Sequence, residues 1–249
     1  MRNTAGKWMT GLITIVFYGY SAFAGVVPWE LNGITWTNYY RADTDGLPTA
    51  ANPVWIQEYA TGTHYLTNNN AIRIETTSGQ QRSFRTVSGW DLTQDMTVEA
   101  TFRVISMTAQ ANNGAGAIVY GNGSFYGTVL IGTNQITGTA KGVHDFTDWT
   151  TVRLVFEGMD SQATATVKVY INNNPDAVVT NSIWTTGTSI NFLRFGDPNA
   201  SATTTDGVME WQSVRWTAGA IAPVPEPGTV TLFLFSSGML YAARKLKSR

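Results

Sequence analysis

Residues 95 to 105, DMTVEATFRVI, alternate: Met96, Val98, Ala100, Phe102 and Val104 fall on one side, and Thr97, Glu99, Thr101 and Arg103 on the other. A period of two with a single apolar row is the pattern of an antiparallel strand that buries one face. The same alternation turns Val152, Leu154 and Phe156 inward within 149–157, and Val167, Val169 and Ile171 inward within 165–171. Asn172-Asn173-Asn174-Pro175 then ends the strand, because Asn tolerates left-handed turns and proline cannot donate to a ladder. Further strands are predicted at 34–40, 54–58, 71–76, 82–87, 116–121, 126–131, 190–196 and 207–216, eleven in all. That many short strands cannot lie in one open sheet without curling or splitting, so the pattern predicts an all-β fold, a two-sheet antiparallel jelly-roll sandwich. No repeat of fixed period and no internal linker interrupts it, which predicts one domain. Asn68 to Asn70 and Thr203 to Thr205 read as exposed loop tips.

Composition agrees with the pattern: the middle of the chain is rich in Thr, Asn and Gly and lacks the long Ala, Leu, Glu and Lys runs of helical proteins. The absence of cysteine removes disulfides, thiolate zinc sites and cysteine nucleophiles together, so stability must come from packing. The formal net charge of −1 conceals three unlike segments. Residues 1–24 carry two bases and no acid, and residues 225–249 carry four bases and one acid. Residues 25–224 are left with ten Lys and Arg against sixteen Asp and Glu, a net of −6. An acidic domain without a basic stripe argues against nucleic acid as a partner, since phosphate binding needs clustered cations.

The two ends read as addresses. Arg2 and Lys7, an apolar run from Gly11 to Tyr20, and Ser21-Ala22-Phe23-Ala24 make a signal peptide for the Sec export machinery. The small residues Ala22 and Ala24 occupy −3 and −1, and cleavage is expected after Ala24. At the other end stand Val224-Pro225-Glu226-Pro227-Gly228, an apolar segment of 15 residues (229–243) predicted as a short hydrophobic helix, and the basic run Arg244 to Arg249. Fifteen residues are marginal for a hydrocarbon layer of about 30 Å, and the basic cluster would stay on the cytoplasmic side. These three parts in order resemble the PEP-CTERM sorting signal of Gram-negative bacteria. The resemblance implies recognition by a membrane-embedded exosortase, removal of the tail near Pro225, Glu226 and Pro227, and release to the outer surface or extracellular matrix. Membrane contact would then be transient and confined to the tail; a plain single-span anchor is the alternative. The expected organisation is a signal peptide at 1–24, a sandwich at 25–220 and a sorting signal at 221–249.

A second resemblance lies in the middle. Trp149 opening VRLVF, VKVYINN, INFLRFGDP (190–198) and DGVMEWQSVRW (206–216) follow one another as in laminin-G-like domains of the concanavalin A-like lectin and glucanase superfamily. Tyr170, Gly196, Val214 and Arg215 fall at matching places. Asn173 stands where that family has glycine, and Glu210-Trp211-Gln212-Ser213 stands where it has an Asp-Glu pair. The resemblance implies the fold more than an activity.

Glucanases of that superfamily carry acids at alternate positions of a concave strand, and no strand here does. Glu210 is the only acid in the last strand, and Glu99 shares its face with threonines and Arg103. A lyase needs a cluster of Arg, Gln, His and Tyr, but Arg82 and Arg85 are three apart and fall on opposite faces. No catalytic residue is assigned, and the expectation is a protein that is not an enzyme. His64 sits among polar residues, and His144, Asp145 and Asp148 read as turn residues before Trp149. Asp43 and Asp45 precede Gly46 at a spacing that calcium loops use, though a turn that ends the first strand explains the same letters. Calcium is thus the only cofactor considered. Sugar rings stack their CH faces on aromatic side chains, and Trp55, Tyr59, Tyr65, Tyr126 and Trp184 lie in polar, turn-rich surroundings, which makes them the candidate glycan-binding residues. Trp149, Trp211 and Trp216 are assigned to the core or a sheet edge. The expected function is therefore that of an exported, sorted surface or matrix protein whose sandwich binds an extracellular polysaccharide. The alternatives are a purely structural adhesive protein and a polysaccharide-cleaving glycosidase or lyase.

Overall fold

A computed structural model describes residues 34–223 except 78, 109–113, 124, 139–141, 162–163, 183, 186–189 and 199–204. The predicted signal peptide with Ala22 and Ala24, and the sorting motif Pro225, Glu226 and Pro227, lie outside the described residues.

Two antiparallel sheets make up the molecule from Trp36 onward. In sheet I the order is β13 (Val179–Ser182), β12 (Thr166–Ile171), β11 (Thr150–Glu157), β6 (Met96–Met107), β16 (Gly207–Ala218), β4 (Ala71–Glu75) and β3 (Thr63–Thr67). Strand β1 (Asn38–Arg41) runs beside the second half of β16. Sheet II has the order β10 (Gly142–Val143), β9 (Gln135–Gly138), β8 (Phe125–Ile131), β7 (Gly116–Gly121), β15 (Leu193–Asp197), β5 (Arg82–Thr86) and β2 (Trp55–Ala60), with β14 (Trp184–Thr185) beside the start of β8. The chain is thus the predicted all-β, two-sheet sandwich.

The apolar rows read from the sequence meet between the sheets. Val98, Ala100, Phe102, Val152, Leu154, Phe156, Val167 and Val169 from sheet I are buried there with Ile118, Tyr120, Val129, Leu193 and Phe195 from sheet II. Aromatic rings join the layers. The ring of Phe195 stacks on Tyr40 at 5.7 Å, meets Trp55 edge-on at 5.0 Å, and lies 5.1 Å from Trp211 and 5.7 Å from Phe84. Trp55 in turn meets Trp216 edge-on at 5.3 Å. With no disulfide available, this interlayer packing is the main cohesive term.

Five short strands were not predicted: β3, β9, β10, β13 and β14. Their sequences, THYLT, QITG, GV, VTNS and WT, contain no apolar row long enough to signal a period of two. Three of them, β3, β10 and β13, close the edges of the sheets, where backbone pairing rather than side-chain burial holds a strand. The strand predicted at 34–40 begins only at Asn38, and Ala42–Asp45 forms a single helical turn. Thr205 is another difference: it is buried, and its Oγ1 donates to Asp197 Oδ1 at 2.5 Å instead of lying at an exposed tip. Asn70, Asn172 and Asn173 do take up left-handed turn conformations, with φ of 52°, 50° and 59°.

His64 turns its ring edge-on to Phe84 at 5.3 Å. Partial burial, and then the charge of Arg82, push its pKa below the ordinary histidine value. The native state therefore binds a proton on His64 less readily than the unfolded chain does. The resulting penalty is absent above about pH 6.5 and grows as pH falls through that value. Urea melts from pH 7.5 to 5 should show the wild type losing stability relative to His64→Gln; a gap independent of pH would contradict this. Truncation at the aromatic hub, Phe195→Ala, should cost about 3–5 kcal/mol in the same assay, and a cost under about 1 kcal/mol would show that Phe195 does not join the layers.

Candidate functional site

The outward faces of the two sheets carry the charged side chains, and they do so differently. In sheet I two buried strand carboxylates each sit in a row between two guanidiniums. Glu99 on β6 is directly opposite Arg153 on β11 and Arg215 on β16, and both arginines donate to it. Glu210 on β16 is directly opposite Arg73 on β4 and Arg103 on β6, with contacts of 2.5 Å and 2.7 Å. Burial alone would raise the Glu210 carboxyl, but the hydrogen bonds and charges of Arg73 and Arg103 outweigh it and hold the pKa below the usual value. Indole rings cover these pairs: Trp36 lies 4.4 Å from the Arg215 guanidinium carbon and Trp149 lies 4.8 Å from that of Arg103. Glu75 lies 4.0 Å from Arg73 and accepts a hydrogen bond from Tyr65 at 2.6 Å. This face is occupied by its own partners.

Sheet II departs from that arrangement at one place. Because Phe84 and Phe195 point inward, Arg85 on β5 and Arg194 on β15 point outward, and the two are direct cross-strand partners. Like charges facing each other across a ladder repel. Glu58 on β2 offsets this from a diagonal position, 3.2 Å from Arg85 and 2.5 Å from Arg194. Phe192, two residues before Arg194 and so on the same side, places its ring 4.5 Å from the Arg194 guanidinium carbon and 5.0 Å from that of Arg85. Tyr59 lies 5.5 Å from Arg194 on the same face. Arg194 is 8% exposed, its Nε has no hydrogen-bond partner, and Arg85 is 30% exposed.

Tyr59 owes its position to a bulge. Glu58 pairs with Ser83 and Ala60 with Arg82, so Tyr59 is the extra residue between them, with φ of 65° in the left-handed region that favours glycine. A tyrosine there stores about 1–2 kcal/mol of backbone strain. The bulge lifts the ring above Arg194 and leaves the residue 43% exposed. Tyr126 on β8 lies on the same outward face, its Oη accepting from Thr128 Oγ1 at 2.9 Å. The strands β7, β15 and β5 separate it from β2, about 19 Å at the usual strand spacing.

Of the five aromatics chosen from sequence, Tyr59 and Tyr126 are thus brought to one face. The backbone of Trp184 pairs with Tyr126 at its end, while the Trp184 side chain lies outside the described residues. Trp55 requires correction: it is fully buried against Phe195 and Trp216, because it sits one step before Ile56 in the alternation of β2 and so turns inward. Tyr65 is exposed, but on sheet I, bonded to Glu75. The calcium reading of Asp43 and Asp45 is also corrected. Both oxygens of Asp43 accept from Arg41, at 3.1 Å and 2.5 Å, and Asp45 Oδ2 accepts the Arg41 backbone N–H at 2.7 Å. Those oxygens are spent, the residues do not fit a cation, and among the described residues no group of three His, Cys, Asp or Glu gathers elsewhere. Asp145 accepts from the backbone and hydroxyl of Thr147, as a turn residue does. Arg82 and Arg85 do lie on opposite faces; Arg82 donates to the carbonyls of Ala60 and Gly62.

Phe192, Arg194 and Glu58 were missed. The signal for the first two was present in INFLRF: Leu193 and Phe195 form the inward row, which leaves Phe192 and Arg194 together on the outward one.

The sequence matches no family model and no curated protein. Solved structures share the fold. The carbohydrate recognition domain of Emp46p in its metal-free form aligns over 76% of this chain and 100% of its own, at 12% identity and a TM-score of 0.50. Its potassium-bound form aligns over 73% and 96%, at 14% identity and the same score. A carbohydrate esterase from the Shiga toxin-encoding bacteriophage phi24B aligns over 76% and 100%, at 16% identity and a TM-score of 0.48.

Proposed function

We propose that the chain is an exported, exosortase-sorted protein of the outer surface or extracellular matrix, whose non-catalytic sandwich binds glycan on the outward face of sheet II. The observation that carries the binding reading is Tyr59, a ring held half-exposed by a strained bulge, above a nearly buried arginine and on the same face as Phe192. Strain of this kind persists where the surrounding structure holds it, and it clusters at ligand sites. An exposed aromatic face stacks on the CH face of a sugar, while guanidinium and carboxylate groups beside it hydrogen-bond hydroxyls. The fold shared with a carbohydrate recognition domain is compatible with that use. Export and sorting rest on the basic and apolar leader and on the three-part tail.

The non-catalytic part of the proposal is supported by how the strand carboxylates are used. General acid catalysis on a sugar bond needs a carboxyl whose pKa is raised, paired with a second free carboxylate. Glu99, Glu210 and Glu58 are each engaged by two arginines, and Glu210 is shifted the other way. Asp206, whose carboxyl burial does push up, is fully enclosed and so out of reach of a sugar bond.

The test is calorimetric titration with a panel of bacterial extracellular polysaccharides. Tyr59→Gly removes the ring while glycine accepts the positive φ without strain, so the variant should fold and should bind about tenfold or more weakly, a loss of ~1.4 kcal/mol or greater. Tyr65→Ala, on the opposite sheet, should bind as the wild type does. Equal binding by wild type and Tyr59→Gly would remove this face from the account, and no binding to any member of the panel would leave the purely structural reading.

A further inference from the structure

We infer that the outward face of sheet II selects a sugar bearing a carboxylate, a uronic acid residue, over a neutral sugar; this rests on the glycan-binding reading and adds the ligand's charge. Among the described residues there are three places where two arginines share a glutamate, and they differ in what remains unsatisfied. Around Glu99, Arg153 and Arg215 are buried, and Trp36 covers Arg215. Around Glu210, Glu75 supplies a second carboxylate beside Arg73, so charges balance. Around Glu58 there is no second carboxylate, and although Arg194 is about as buried as Arg215, Arg85 remains 30% exposed. Arg85 and Arg194 face each other in direct register, one carboxylate serves both, and a positive charge is left over.

The unused donors are of the right kind. Arg85 meets Glu58 through Nε, 3.2 Å away but without a hydrogen bond, and packs on the Phe192 ring; among the described residues no hydrogen bond engages its guanidinium, and the side chain is 30% exposed. Arg194 adds a buried Nε without a hydrogen-bond partner. A planar guanidinium with its outer pair of N–H groups free matches the two oxygens of a carboxylate, and a ring packed against both guanidiniums fixes their planes. A carboxylate entering here would relieve the cross-strand repulsion that Glu58 alone offsets. It would also place its sugar ring beside Tyr59. The selectivity must be local, because residues 25–224 carry a net charge of −6 and as a whole repel a polyanion.

The experiment compares oligomers of galacturonic, glucuronic and mannuronic acid with their carboxyl-reduced neutral counterparts, titrated into the same protein. At least one acid oligomer should bind tenfold or more tightly than its reduced form. Arg85→Gln should bring the acid form down to the affinity of the neutral one. Lys168→Gln removes the same unit of charge from the outward face of sheet I and should leave the preference intact. Melting curves confirm that both variants fold. Equal affinity for acid and reduced forms, or a preference unchanged in Arg85→Gln, overturns the inference and leaves glycan binding standing. Absence of binding to every acid and neutral oligomer overturns both.

Discussion

The ring of Phe195 is held by Tyr40 and Trp211 from one sheet and by Trp55 and Phe84 from the other. A strand has only two phases, so fixing one side chain inward fixes its neighbours outward. With Phe195 and Leu193 in the core, Phe192 and Arg194 have no choice of side, and the same logic through Phe84 places Arg85. The outward site on sheet II is thus a consequence of interlayer packing. A slip of one residue in β15 would bury Arg194 among rings and expose Phe195. That cost, an unpaired charge inside and a large apolar ring outside, is what makes the site rigid.

The charged residues on the outside follow a second constraint. On sheet I, register puts Glu99 and Glu210 each between two arginines in one row, an arrangement that ties β11 to β6 to β16 and β6 to β16 to β4. Buried pairs of this kind add less to stability than their number suggests, but removing one partner leaves a costly orphan charge, so they penalise misregister. On sheet II the row is wrong for self-neutralisation: arginine faces arginine, and the carboxylate reaches in diagonally from β2. Beside that defect stands the tyrosine in a left-handed bulge. Two local violations of strand rules, side by side, on an otherwise regular sandwich, are where a ligand is expected to have shaped the sequence.

Much of the architecture was legible because period-two alternation is a direct image of burial. The inward rows of β6, β11 and β12 are those read from the sequence, and Asn172-Asn173 ended β12 as turn chemistry requires. The short edge strands were not legible, since THYLT or VTNS carries no buried row for a pattern to reveal. The site was half legible. Tyr59 and Tyr126 were singled out by their polar surroundings, yet the same criterion chose Trp55, whose neighbours in sequence are polar while its neighbours in space are Phe195 and Trp216. Asp43 and Asp45 failed for a related reason: spacing shows which oxygens are near each other but not that Arg41 has already engaged them. The pairing of Arg85 with Arg194 joins residues more than a hundred positions apart, and only strand register, set by the core, brings them together.

Hydrogen exchange with and without a saturating bound oligosaccharide tests most directly where the ligand sits. Protection should rise at the backbone amides of 56–60, 83–86 and 192–195, and stay unchanged at 97–103 and 208–215. New protection confined to the outward strands of sheet I, with 56–60 and 192–195 unaffected, would contradict the account.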